Sequence, residues 1–325
     1  MTDGILKIFQ GNKELLKKID RAIVFFREEE YESALSIVAD MMDEIRSMTD
    51  AVIQDRKYFR LVSTDSVVEM LTGIVNAKKN ADYILLADLL ELQMVSFICG
   101  VQELIIEKEN FCVYDEQTDR DNRYEVKAKL QNVQGLEEVF GDASEYVQDV
   151  AEYLDSGLSP EQLLEQGYRV EFTTCGEMTV SAPKLSGNTI YLHTNHRIAQ
   201  EAMLLAKKWQ QSGKTRYVVY GFGMGYVVRE LLSILPGGEV VEVYESDINL
   251  LKLACAFSDI GAWVKDERLR LIYDPECNYI SKRLQQFNAA DQVCIYYPSL
   301  CCLKDEESRE MLLDFLPWAR RIEQC

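Results

Sequence analysis

The sequence predicts an α/β protein: a Rossmann-like (methyltransferase-like), mostly parallel sheet with helices on both faces, preceded by an all-α helical bundle. Three observations carry that expectation. Apolar residues recur at helical spacing through the first ~110 residues. From Thr189 onward, short apolar strands alternate with helical segments. Within that stretch a glycine-rich turn, Gly221–Gly225, joins a strand to a helix. The implied division is 1–110 for the bundle, 111–167 for a connector with short helices, and 168–325 for a β-hairpin plus the Rossmann-like domain. Two domains also suit a chain of 325 residues.

In the bundle, Leu15, Ile19, Ile23 and Phe26 form the first stripe. Ala34, Val38, Met41, Ile45, Met48 and Val52 form the second, in steps of four and three that require a facing helix. Val67, Val68, Leu71, Ile74 and Val75 form the third. The fourth helix, Asp82 to Lys108, is apolar on several faces and is expected to lie centrally in an antiparallel bundle. Its apolar run is interrupted by Asp88, Glu91, Gln93 and Glu103, so it reads as a buried helix and no membrane span is expected. A protein partner docks on this bundle if one apolar face is exposed.

Residues 110–132 are charged and unpatterned, as a solvated connector is. A helix is expected over Ser144–Leu154, stopped at Gly157. Ser159-Pro160-Glu161-Gln162 has the form of a capping box with proline at the first helical position, and Gly167 closes that helix. Val170, Phe172 and Thr174, then Met178 and Val180, alternate about Cys175-Gly176 as a hairpin does. Strands follow at Thr189–Leu192, Tyr217–Tyr220, Val240–Glu245, Leu269–Tyr273 and Gln292–Tyr297. Helices are expected from His196 (capped by Asn195, with Ile198, Ala202, Leu205 and Trp209 inward), over Tyr226–Leu235, Ile248–Phe257 and Glu306–Arg320. Such alternation predicts a parallel sheet.

Composition excludes some functions. With 54 acidic against 35 basic residues the net charge is −19, which repels a phosphate backbone and argues against nucleic acid. The N-terminus shows no apolar run before a cleavage site, making a cytoplasmic location the expectation. Nine cysteines without a CxxC suit a reducing compartment, and Cys99, Cys255 and Cys294 sit among apolar neighbours as small core residues. Neither Cys301–Cys302 nor the pair His193 and His196 has further ligand-spaced partners, so no metal is expected; His193 instead packs at a strand end.

The chemistry concentrates in YVVYGFGMGYVVRELL, from Tyr217. Glycines at 221, 223 and 225 allow a tight turn and close approach of a ligand to the backbone. The following helix offers free N–H groups and a positive dipole end. Glu245 ends the next strand, where a carboxylate accepts ribose hydroxyls, and Asp274 ends the one after, within reach of a base edge. The candidate cofactor-binding residues are therefore Gly221, Phe222, Gly223, Met224, Gly225, Tyr226, Glu245 and Asp274. Tyr226 at the sixth position departs from a dinucleotide fingerprint. The GxGxG spacing fits S-adenosylmethionine methyltransferases better, although Tyr220 replaces the acid that usually precedes the first glycine, and Tyr296-Tyr297-Pro298-Ser299 lacks the polar first residue of an amino-methyltransferase motif. The same glycines also serve strand–helix packing alone, with no ligand.

Leu192-His193-Thr194, Gly221–Tyr226 and Tyr244-Glu245-Ser246 resemble, in order and distance, the N-terminal Rossmann-like region of the motility-associated-factor glycosyltransferase family. The likeness covers roughly residues 168–300. It implies a nucleotide-sugar ligand and a role in protein (flagellin) glycosylation. In that family the catalytic sialyltransferase-like domain follows this region, so the chain is expected to be a fragment or a stand-alone relative. No catalytic residue carries over. Three functions remain open: a nucleotide- or nucleoside-binding protein of this kind, an S-adenosylmethionine-dependent methyltransferase with an abbreviated sheet, and a non-catalytic interaction module.

Overall fold

The computed structural model describes residues 3–60, 62–109, 153, 157–258, 260 and 263–316. The connector 110–132 and the helix expected at Ser144–Leu154 lie outside the described residues, Tyr153 apart. The chain divides into two compact units. The first holds residues 1–112 together with 172–177 and 194–201, two short segments that a linear reading places with the α/β part.

The first unit is built on long helices: α1 (Asp3–Arg27), α2 (Tyr31–Gln54), α3 (Thr64–Lys79), and α4 (Tyr83–Leu89) continuing through a π-helical turn (Leu90–Met94) into α5 (Val95–Lys108). The α2 seam is buried at every position named above. The α3 stripe is rotated from expectation: Val67, Met70, Ile74 and Ala77 are buried, whereas Val68 and Val75 are more than half exposed. The fourth helix is not central on all sides. Ile84 and Leu92 are each 69% exposed. By length and composition Tyr83–Lys108 is apolar enough to cross a membrane, its most apolar 18-residue window having a mean hydropathy of 1.9 with 39% of that window buried.

In the second unit the capping box at Ser159 forms as expected and starts α6 (Pro160–Glu165). Strands β1 (Arg169–Phe172), β2 (Met178–Pro183) and β3 (Thr189–Tyr191) make a three-stranded sheet. Thr189–Tyr191 therefore does not open the parallel sheet; it pairs antiparallel with β2. Helix α7 runs Ile198–Trp209, two residues later than expected, so Asn195 stands before its N-cap position, with its carbonyl accepting from Thr174.

The parallel sheet holds β4 (Arg216–Tyr220), β5 (Val240–Glu245), β6 (Leu269–Tyr273) and β7 (Asp291–Ile295) in the order β6-β5-β4-β7. The central strands β4 and β5 are buried at consecutive positions, as strands covered on both faces must be. Between them run α8 (Tyr226–Ile234), α9 (Ile248–Phe257) and α10 (Asn278–Gln285); α11 (Tyr297–Cys302) and α12 (Glu306–Leu313) follow β7. Two departures matter here. Tyr297 belongs to a helical turn and not to the strand, and α10 is polar enough that no apolar stripe announces it.

Candidate functional site

The turn after β4 has the backbone its glycines predict. Gly221, Gly223 and Gly225 adopt φ of +93°, +58° and +81°, values that side-chain-bearing residues rarely hold. What surrounds them differs from expectation. A Cβ on Gly221 would stand 2.6 Å from Ser299 Cβ, one on Gly223 2.7 Å from Tyr296 Cε1, and one on Gly225 2.8 Å from Trp263 Cζ2. The room that glycine leaves is taken by the protein's own side chains. Phe222, Met224 and Tyr226 are all buried, and Phe222 stacks on Trp263 with centroids 5.9 Å apart. The turn is closed.

The carboxylates are likewise engaged. Glu245, 1% exposed, accepts from the backbone N–H groups of Phe222 (2.9 Å), Ser246 (2.9 Å) and Asp247 (3.0 Å). It ties the glycine turn to its own strand end and presents no free oxygen for ribose hydroxyls. Burial lifts its pKa to about 7 against the pull of those three donors. Asp274 accepts from the Ile280 N–H at 2.9 Å and so fastens the first turn of α10 in place of contacting a base. The Tyr226 hydroxyl donates to the Met178 carbonyl.

His193 is buried beside Thr179 and edge-on to Tyr226, and burial alone depresses its pKa to about 3. A neutral imidazole in that position is core. His196 pairs with Thr174 instead. No cluster of metal-ligating side chains occurs among the described residues. One polar atom at the turn stands out: Ser299 Oγ is buried with no hydrogen-bond partner.

A different concavity lies in the first unit. Helix α3 and the α4–α5 helix bound a cavity of about 760 Å³. Met70, Leu89, Phe97 and Leu104 make its walls apolar, and the small residues Gly73, Ser96 and Gly100 also line it. A Cβ on Gly100 would meet nothing within 4 Å. The π turn helps to shape it. The Val95 N–H bonds to the Leu90 carbonyl five residues back, turning the helix so that Gln93, Ser96 and Phe97 line the groove. Such insertions recur at functional positions. Among the described residues Glu69 is the one charged residue in the lining. The exposed apolar residues Val68, Val75, Ile84 and Leu92 lie outside its lining, so no excess of apolar residues in the sequence marks this groove.

A family model described as "Domain of unknown function (DUF8042)" matches residues 6–103. That span takes in every residue lining the groove except Leu104. No curated protein and no solved structure matches the chain.

Proposed function

We propose that this is a non-catalytic interaction module whose helical unit receives an apolar segment of a protein partner in the groove beside α3. The observation that carries this is the 760 Å³ cavity with apolar walls. It is large for a monomer's surface and falls within the range of binding sites. The α/β unit, Rossmann-like in its strand order, uses its glycines for packing and serves as scaffold. A cytoplasmic setting belongs to the same reading. Binding of an environment-sensitive apolar dye tests it. The intact chain should enhance the dye's fluorescence, and Gly100→Trp, which fills the groove from an exposed helical position, should abolish most of that signal without changing the circular dichroism. Equal enhancement by both proteins overturns the reading.

A second reading keeps the likeness to motility-associated-factor glycosyltransferases and takes a nucleotide-sugar, or S-adenosylmethionine, at the glycine turn. It is favoured by the unpartnered Ser299 Oγ beside Gly221 and by the carboxyl end of the sheet where β4 separates β5 from β7. It requires Tyr296, Ser299 and Trp263 to withdraw. Calorimetry with CMP-sugars, UDP-sugars and S-adenosylmethionine decides it: a Kd below about 1 mM, ~−4 kcal/mol, that Glu245→Gln weakens would establish this reading, and flat titrations would remove it.

A further inference from the structure

We infer that the partner segment is a basic amphipathic helix, an inference that rests on the groove reading above and names the chemistry of its occupant. Shape is the first argument. The groove follows α3 from Ser63 to Gly73, roughly 15 Å at 1.5 Å per residue. That length accepts two to three turns of a helix, with anchors at i, i+3 or i+4, and i+7. Gly100 in the lining leaves open space where a side chain would stand, so a bulky apolar anchor can approach its backbone, whereas the space beside Gly73 is filled by Leu89. A flat lining without Gly100 would hold side-chain tips only.

Charge is the second argument. Among the described residues the lining includes Glu69 and no lysine or arginine. On the same helices Asp65, Glu103 and Glu107 are exposed. Among the basic residues there, Lys78 and Lys79 lie past the groove at the end of α3, and Lys108 is folded against Tyr58. An apolar slot with Glu69 in its lining, on helices that expose further acids, selects apolar anchors flanked by Lys or Arg. The same charges weigh against other occupants. A second copy of this chain brings a net charge of −19 to a surface that already exposes Glu69 and its acidic neighbours on the same helices. Anionic lipid headgroups are repelled by it too, despite the apolar character of Tyr83–Lys108. Long-range attraction of this kind raises the association rate and weakens with salt.

The test uses the full chain and three fluorescein-labelled helical peptides that share one leucine stripe at i, i+3, i+7 and differ only in flanking residues: lysine, serine or glutamate. In fluorescence anisotropy at low salt the lysine peptide should bind at least about tenfold more tightly than the glutamate peptide, with serine between. Gly100→Trp should weaken all three by about tenfold or more. The triple variant Asp65→Lys, Glu69→Lys, Glu103→Lys, all at exposed positions, should reverse the order of preference while melting as the parent does. Each failure has a distinct meaning. If the three peptides bind equally and Gly100→Trp blocks them, the groove reading stands and the basic partner is overturned. If none binds at 1 mM, the groove reading itself fails. Co-sedimentation with vesicles of phosphatidylcholine and phosphatidylserine that Gly100→Trp prevents, or concentration-dependent dimerisation that it prevents, would replace the helix by a membrane or by a second copy.

Discussion

At the scale of single residues, the glycine turn shows one sequence pattern serving two ends. Positive φ and absence of a Cβ are needed by a ligand site and equally by a turn packed against Ser299, Tyr296 and Trp263. Gly221→Ala combines left-handed strain of about 1–2 kcal/mol with overpacking of about 1–3 kcal/mol. The expected loss, measured by urea denaturation, is therefore about 2–5 kcal/mol; a loss below about 0.5 kcal/mol would mean that the turn has open space after all. Glu245 gives a second measurable consequence. The folded protein holds this proton up to about pH 7, whereas the unfolded chain releases it near the ordinary value of 4.5. As pH rises through that window the unfolded state loses a proton that the folded state retains, and stability falls. Relative to Glu245→Gln, which does not titrate, the parent should lose about 3 kcal/mol between pH 4.5 and 7 and nothing more above it. Urea melts of both proteins across that range check the sign. A pH-independent difference would mean that the three N–H donors keep the carboxylate ionised throughout, despite burial beside Asp247.

At the scale of elements, legibility followed how strongly one face of each segment was marked. The α2 seam and the β4 and β5 strands were plain in the sequence because burial there is regular: one stripe, or a continuous apolar run. The capping box at Ser159 was plain because its two reciprocal hydrogen bonds are local. By contrast α10, NYISKRLQ, buries Ile280 alone and is fastened by Asp274 from outside, a tertiary contact with no local pattern. Thr189–Tyr191 has strand composition, but nothing in it says which sheet it joins. The candidate site divides the same way. The backbone of the turn and the position of Glu245 could be read in advance; what fills the turn comes from Trp263, Tyr296 and Ser299, residues far along the chain whose approach no spacing announces. In the fourth helix apolar content does not amount to centrality, since Leu92, within the π turn, is exposed. Leu92→Ser should accordingly change stability by less than about 0.5 kcal/mol, while Ile98→Ala, at a fully buried position six residues later, should cost about 2–5 kcal/mol. Thermal melts of the two variants check this, and comparable losses would show Leu92 to be covered.

At the scale of the whole molecule, the helical unit is not closed by its own first 109 residues. Its core cluster includes Cys175, with Phe172 packed against it, and its ion pairs reach forward in sequence. Glu177 sits between Lys13 (3.1 Å) and Lys17 (3.0 Å). Arg197 binds Asp20 and, at 2.7 Å, Glu91, which Arg27 also contacts at 3.0 Å. Asp20 is 4% exposed, and burial raises its pKa even with the guanidinium alongside. Removing that cation while keeping the side-chain volume, as in Arg197→Met, strands a buried carboxylate. The expected loss at pH 8 is about 3–5 kcal/mol. It should shrink as pH falls, because Asp20 without its partner takes up a proton at a higher pH than the unfolded chain does, and protonation removes the charge that burial penalises. The double variant Asp20→Asn, Arg197→Met should recover much of the loss at pH 8 and lose the pH dependence. Full-length proteins in urea at pH 5 and pH 8 check all three. If Arg197→Met melts as the parent does at both values, residues 194–201 contribute little to the helical unit, and that unit is complete within its first four helices.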